Sequence, residues 1–151
     1  MTEIRFYHLT RSSTDDAMPP LLEKALKGYK RIVVQCADDV NAKHADKALW
    51  GGRPDSFIPH GLDTAEHAAE QPVLVTSNDN HDHDAEMLLV LGSAKLQESR
   101  IEKYKLVCLM FDGSDDAQVQ AARALWKTLK DNASLTLTYW QQGDTGWSQK
   151  S

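Results

Sequence analysis

The sequence predicts an α/β fold: a single-domain, doubly wound, largely parallel sheet with helices on both faces, Rossmann-like but without a nucleotide-binding motif. Short apolar segments alternate with segments of helical periodicity along the chain, which is the order of elements in such folds. Several apolar segments are nearly continuous runs of aliphatic residues, typical of strands that are covered on both faces. The 151 residues fit one domain, residues 1–151, and are enough to bury a full core.

Each element follows from its own local pattern. The predicted elements are, in chain order, a strand at Ile4–Leu9, a helix from the Thr14–Asp16 cluster to Lys27, a strand at Ile32–Ala37, a helix capped by Asp38 and Asp39 and ending at Leu49–Trp50, strands at Pro72–Thr76, Met87–Leu91 and Leu106–Phe111, a helix from the Asp112–Asp116 turn to about Asn132, and a peripheral strand at Leu135–Trp140. In the first helix, Pro19 and Pro20 are expected in the first turn, and Gly28 ends the helix. The order of the strands in the sheet is left open by the sequence.

Composition excludes several classes of protein. The net charge of −5 argues against broad electrostatic binding of DNA or RNA, because that affinity comes from neutralising phosphates. Cys36 and Cys108 each lie in an apolar run, so we expect reduced packing residues and a cytoplasmic location. The first residues show no basic region followed by an apolar stretch, and no apolar segment is long enough to cross a bilayer.

Nucleotide-binding motifs are missing although the fold class often binds nucleotides. Neither G-x-G-x-x-G nor G-x-x-x-x-G-K-[ST] occurs, so the backbone cradle for phosphates is absent, and we expect no cofactor. Asp112 follows an apolar strand as a magnesium-binding aspartate would, but without a phosphate loop it is better interpreted as a helix cap. The alternative hypothesis is a small nucleotide-dependent or hydrolytic enzyme that uses Asp112 and Asp38. The polar run Asn78–Asp84 has metal-ligand residue types, but we interpret it as a solvated loop and expect no metal site.

The last helix carries two stripes of side chains. Gln118, Ala122, Leu125 and Leu129 form the stripe that is expected to face the sheet, with Ala121 at its edge. The second stripe combines an apolar spot with three cations: Val119, Arg123, Trp126, Lys127 and Lys130. It is either an ordinary solvated face or a site for an acidic ligand with an aromatic end, since the cations would attract the charges and the spot would take the ring.

The segment from Leu49 to His60 points to a second surface. A Leu49–Trp50 pair closes a helix, a Gly-Gly-x-Pro break follows, and the tetrapeptide from Phe57 to His60 must be extended before its proline. Large aromatic residues on a loop favour a docking surface. The alternative is that Trp50 and Phe57 close the core beneath the loop.

These motifs resemble those of the chi subunit of bacterial DNA polymerase III, a small protein associated with the clamp loader. The resemblance covers most of the chain in order, and the central segment 61–86 matches poorly apart from its Pro72–Val73 strand. The motifs that carry it are the F-Y-x-L strand at Phe6, Tyr7 and Leu9, the apolar second strand, the Leu49–Trp50 pair followed by S-F-x-P-H at 56–60, the Pro72–Val73 strand, and the Arg-x-x-aromatic-Lys pattern at Arg123, Trp126 and Lys127.

The resemblance implies a non-catalytic adaptor with two protein partners. In that family the C-terminal helix binds the acidic, phenylalanine-terminated tail of single-stranded-DNA-binding protein, which implies that Val119, Arg123, Trp126 and Lys127 form the tail site here. Val119 replaces a basic residue of the family, which would weaken the contact with the acidic tail.

The second partner implied by the resemblance is the psi subunit of the clamp-loader assembly. In the family its contact lies at the region that here contains Trp50, Phe57, Pro59 and His60. Nucleic acid would then be contacted only indirectly, and no membrane contact is expected. A binding module for another protein with a similar acidic tail remains a further alternative.

Overall fold

The computed structural model describes residues 2–51, 58–63, 71–78, 84–144 and 146–151. Within these residues the strands are β1 (Thr2–Leu9), β2 (Ile32–Gln35), β3 (His60–Leu62), β4 (Val73–Thr76), β5 (Met87–Leu91), β6 (Leu106–Asp112), β7 (Leu135–Gly143) and β8 (Gly146–Gln149). The α-helices are α1 (Thr14–Ala25), α2 (Asp39–Trp50) and α3 (Asp116–Leu129). A short 3₁₀ helix at Glu98–Lys103 precedes β6.

The eight strands of the described residues form one sheet in the order β3-β4-β2-β5-β6-β1-β7-β8. Every pair of neighbours is parallel except β7 and β8, which form an antiparallel hairpin at one edge. The central strands are buried along their whole length, as the aliphatic runs predicted. The predicted α/β fold with a largely parallel sheet is confirmed.

The helices divide between the two faces of the sheet. On one face α1 and α2 pack against a core that includes Met18, Leu22 and Leu49. On the opposite face α3 and the 3₁₀ helix cover a second core that includes Ile4 and Phe6. The two cores lie on the two faces because successive residues of β1 point to opposite sides of the sheet.

Helix α1 begins about one turn earlier than expected from the prediction that Pro19 and Pro20 lie in its first turn. Ser13 is its N-cap, and its hydroxyl accepts from the backbone N–H of Asp16 at 3.2 Å. Pro19 and Pro20 therefore lie in the second turn. They remove two N–H groups that would bond carbonyls four residues earlier, but those carbonyls belong to exposed residues, so solvent can satisfy them.

The predicted last strand, Leu135–Trp140, is too short. Strand β7 continues to Gly143 and is followed by a further strand, β8. Strand β3 was not predicted either, since it contains three residues and becomes a strand only through its pairing with β4. Cys36 and Cys108 are buried free thiols, as expected. None of the described helices combines the length and apolar character needed to cross a membrane.

Candidate protein-binding surfaces

Helix α3 presents a row of exposed cations on the side turned away from the sheet. Asp115 starts the helix by accepting from the backbone N–H groups of the first turn at 3.0 and 3.3 Å. From this start Arg123, Lys127 and Lys130 all fall on the solvent side. We call Arg123, Trp126, Lys127 and Lys130 the cationic surface.

Trp126 joins this surface to the core. Its ring meets Phe6 edge-on with centroids 5.3 Å apart, and meets Tyr139 edge-on at 6.0 Å. Phe6 and Tyr139 are stacked at 6.2 Å. Phe6 is fully buried, whereas Trp126 and Tyr139 are partly exposed. The packing fixes the indole in place while leaving part of it available beside the cations.

The position of Val119 differs from the prediction. Val119 is 7% exposed and belongs to the core beneath α3, so it offers no apolar spot to a ligand. The helix is turned by about 40° relative to the predicted stripes, at 100° per residue. Gln118, expected to face the sheet, instead accepts from the backbone N–H of Asp112 at 2.8 Å and donates to Asp115 at 3.2 Å. Trp126 and Tyr139 therefore supply the apolar part of the cationic surface.

His8 and Tyr139 had no predicted role, yet they adjoin the cationic surface. His8 Nδ1 lies 2.8 Å from the Tyr139 hydroxyl. Burial, and then the positive charge of Arg123, lower the pKa of His8. Burial raises the pKa of Tyr139, and Arg123 opposes that rise. The only sequence signal for this pair was the alternating pattern of β1 and β7, which becomes informative once the two strands are known to be neighbours.

Trp50 is an exposed aromatic residue at the end of α2. Its side chain is 63% exposed, so the alternative that it closes the core is wrong. The indole lies against the ring of His60, with centroids 4.8 Å apart. Pro59, which precedes His60 in the chain, is partly exposed, and the predicted contact residue Phe57 lies outside the described residues. We call Trp50 and Pro59 the tryptophan surface.

His60 supports this surface from inside. The residue is only 6% exposed, and its Nδ1 donates to the carbonyl oxygen of Ile58 at 2.6 Å. Its Nε2 lies 3.3 Å from a carboxylate oxygen of Asp46. The prediction that His60 itself contacts a partner needs correction, because its ring is buried and packs against Trp50 instead.

A crevice at the carboxyl ends of the strands occupies the place where Rossmann-like folds bind nucleotides. It encloses about 300 Å³, and Asp15 and Asp112 are among its lining residues. These carboxylates would repel phosphate groups. The Asp112 carboxylate accepts from the N–H and hydroxyl of Ser114, which lowers its pKa. Asp112 therefore closes a turn, and its predicted role as the helix cap is wrong, because the cap of α3 is Asp115.

The other carboxylate of the enzyme hypothesis, Asp38, caps α2 as predicted. It accepts from the backbone and side-chain nitrogens of Asn41 at 2.8 and 2.9 Å. The polar run predicted as a loop falls mostly on residues 79–83, outside the described residues. Among the described residues, no cluster of three or more His, Cys, Asp or Glu side chains could hold a metal ion.

These features define a Rossmann-like α/β domain with two candidate surfaces for binding other proteins. The family model described as DNA polymerase III chi subunit, HolC, matches residues 1–136. The chain belongs to this family, whose description is that of a subunit of DNA polymerase III.

Three named relatives agree with the family. The DNA polymerase III subunit chi of Pseudomonas aeruginosa is 34% identical over 76 residues, which cover 48% of this chain and 52% of the relative. The subunit of the same name from Escherichia coli K12 is 29% identical over 41% of this chain and 47% of the relative. A probable chi subunit of Rickettsia prowazekii is 24% identical over 74% of this chain and 71% of the relative. The chain thus spans about half the length of the first two curated relatives that it matches.

Proposed function

We propose that the protein is a non-catalytic adaptor of the bacterial replicative DNA polymerase. In this role it links the psi subunit of the clamp-loader assembly to the acidic C-terminal tail of single-stranded-DNA-binding protein. The tail would bind the cationic surface, and psi would bind the tryptophan surface.

The position of the two surfaces on opposite faces of the sheet carries this proposal. Trp50 ends α2, which covers one face, and it contacts His60 at the β3 edge. Arg123 and Trp126 belong to α3, which covers the other face near β1 and β7. Two partners seated on these surfaces would not collide, which is the geometry that an adaptor requires.

The chemistry of the cationic surface fits an acidic peptide with an aromatic end. Arg123, Lys127 and Lys130 concentrate positive charge on a chain whose net charge is −5. Carboxylates can pair with these cations, and the partly exposed rings of Trp126 and Tyr139 can pack against an aromatic side chain. Such binding should weaken as salt is added, because the charges are exposed.

The enzyme hypothesis is less well supported by the geometry. Asp112 and Asp38 both accept backbone hydrogen bonds that shape the start of a turn or a helix. A catalytic carboxylate would have to be available to a substrate. The crevice between the strand ends also places two carboxylates where a phosphate would lie.

The tail proposal is tested by titrating the protein with a short aspartate-rich peptide ending in phenylalanine. Arg123→Ala should weaken binding by about 1 to 3 kcal/mol, because an ion-paired hydrogen bond to a carboxylate is lost. The fold should be retained, since Arg123 faces solvent. Lys43→Ala is the matched control, because Lys43 is an exposed cation on α2. Unchanged affinity in Arg123→Ala, or an equal loss in both variants, would rule out this binding site.

A further inference from the structure

His8 and Tyr139 form a polar pair beside the Trp126 ring of the cationic surface. Strands β1 and β7 are parallel neighbours in which Phe6 is aligned with Tyr139. The hydroxyl of Tyr139 reaches forward to His8 Nδ1 at 2.8 Å. The Tyr139 ring also contacts Trp126. A ligand that packs on Trp126 therefore lies close to this pair.

The imidazole of His8 is held from several elements. Tyr139 faces it from β7, the ring of Phe111 lies 5.2 Å away on β6, and Arg123 on α3 acts on it through its charge. The backbone at Gly113 closes on the other nitrogen, since a Cβ there would lie 2.3 Å from His8 Nε2. The side chain is thus fixed with Nδ1 directed at the tyrosine hydroxyl.

The protonation state of His8 determines whether the Tyr139 hydroxyl can donate a hydrogen bond to a ligand. When Nδ1 is an acceptor, the hydroxyl donates its hydrogen to the imidazole and can only accept from a ligand. When His8 is protonated, Nδ1 must donate, and the hydroxyl hydrogen is released. The hydroxyl can then donate to a carboxylate placed beside Arg123.

The charge of Arg123 adds to this effect. In the free protein burial, and then the positive charge of Arg123, lower the pKa of His8. A carboxylate bound at Arg123 would offset that positive charge, so the complex should hold the proton more tightly than the free protein. By linkage, protonation must then favour the bound ligand to the same extent.

From this geometry we infer that His8 and Tyr139 are part of the site for the acidic tail, and that protonation of His8 strengthens binding through the released hydroxyl of Tyr139. The inference rests on the proposed function, because it concerns the same ligand. It goes further in assigning two residues on β1 and β7, and a dependence on pH, to a site otherwise built on α3.

The test is to measure affinity for the aspartate-rich peptide ending in phenylalanine between about pH 5 and pH 8. The aspartates stay ionised over this range, since their usual pKa is about 3.9. The wild-type protein should bind roughly fivefold more tightly at the acidic end. NMR of the His8 imidazole should show its pKa rising when peptide is added.

Three variants separate the roles. His8→Gln keeps a polar side chain that does not titrate, and should remove most of the pH dependence. Tyr139→Phe keeps the ring and should lose the part of the gain at acidic pH that comes from the hydroxyl, because no hydroxyl is left to donate, so its pH dependence should be smaller than that of the wild-type protein. His44→Gln changes an exposed histidine on α2 and should keep the wild-type profile.

The outcomes distinguish this inference from the proposed function. Binding that depends on Arg123 but is equally strong at both ends of the pH range would overturn the role of His8 and leave the tail site intact. An unchanged His8 pKa on adding peptide would do the same, even if His8→Gln failed to fold. Absence of peptide binding by the wild-type protein at every pH would refute both.

Discussion

Replacing Trp50 with alanine should weaken binding of the psi-type partner strongly while costing little stability. A fully buried tryptophan or phenylalanine costs about 3 to 5 kcal/mol when truncated to alanine. Trp50 is 63% exposed, so only about a third of that cost applies, or roughly 1 to 2 kcal/mol. For a chain of this size the midpoint of thermal unfolding should fall by about 2 to 8 °C.

The assay combines thermal unfolding with two binding measurements, one using purified psi subunit and the other using the acidic peptide. Trp50→Ala should lose affinity for psi by about 2 kcal/mol or more, as expected for an aromatic residue at the centre of an interface. Peptide affinity should be unchanged, because the cationic surface lies on the opposite face. Val40→Ala is the matched control, since Val40 is an exposed apolar residue, 64% accessible, near the start of the same helix.

Three results would contradict this reasoning. A stability loss near that of a fully buried aromatic, accompanied by loss of both binding activities, would mean that Trp50 supports the fold. Wild-type affinity for psi in Trp50→Ala, in a protein of normal stability, would mean that the tryptophan surface is not the psi site. An equal effect of Val40→Ala would show that α2 acts through general surface hydrophobicity.

Two further predictions concern packing. Gly113→Ala should lower the free energy of unfolding by about 1 to 3 kcal/mol in a urea titration, because the new Cβ would lie 2.3 Å from His8 Nε2 and 2.4 Å from a carbonyl oxygen at the end of β1. Gly28→Ala, where a Cβ meets its nearest atom at 3.9 Å, should be nearly neutral, and equal stability of the two variants would contradict the clash. Burial raises the pKa of the Cys36 and Cys108 thiols to about 12, so a thiol reagent at neutral pH should modify them only after unfolding, and rapid labelling of the native protein would show that they are accessible.

The elements found by sequence reasoning are those whose composition follows from local burial. Strands β2, β4, β5 and β6 are covered on both faces, so each must be apolar at nearly every position, and that pattern is visible without knowing the neighbours. Helix α2 was predicted from its cap at Asp38 to its end at Trp50 for a similar reason, since capping is a local interaction.

The elements that were missed depend on distant parts of the chain. Strand β3 is identified by its pairing with β4, and β8 by its pairing with β7. The order of the strands likewise follows from which surfaces pack best, which no local pattern encodes. The orientation of α3 was predicted wrongly for the same reason. Trp126 packs against Phe6 on β1 and Tyr139 on β7, and these contacts turn its ring toward the sheet.

The same distinction applies to the candidate surfaces. Trp50 could be predicted because the Gly-Gly-x-Pro motif that follows it ends the helix. The cations on α3 could be predicted because the helical period places them on one stripe. The pair of His8 and Tyr139 could not, because the two residues are 131 positions apart and meet only through the parallel pairing of β1 and β7.

The architecture also implies that the two surfaces act independently. From β3, which supports Trp50 through His60, to β7, which carries Tyr139, the sheet makes six steps between neighbouring strands. At about 4.8 Å a step the separation is roughly 29 Å. Charges are screened over about 8 Å at physiological salt, so an acidic ligand on Arg123 cannot alter the field at Trp50. The central strands β4, β2 and β5 are buried along their whole length and closely packed, and such a sheet holds its shape when one face is occupied. Psi should therefore bind with equal affinity whether or not the tail peptide is present.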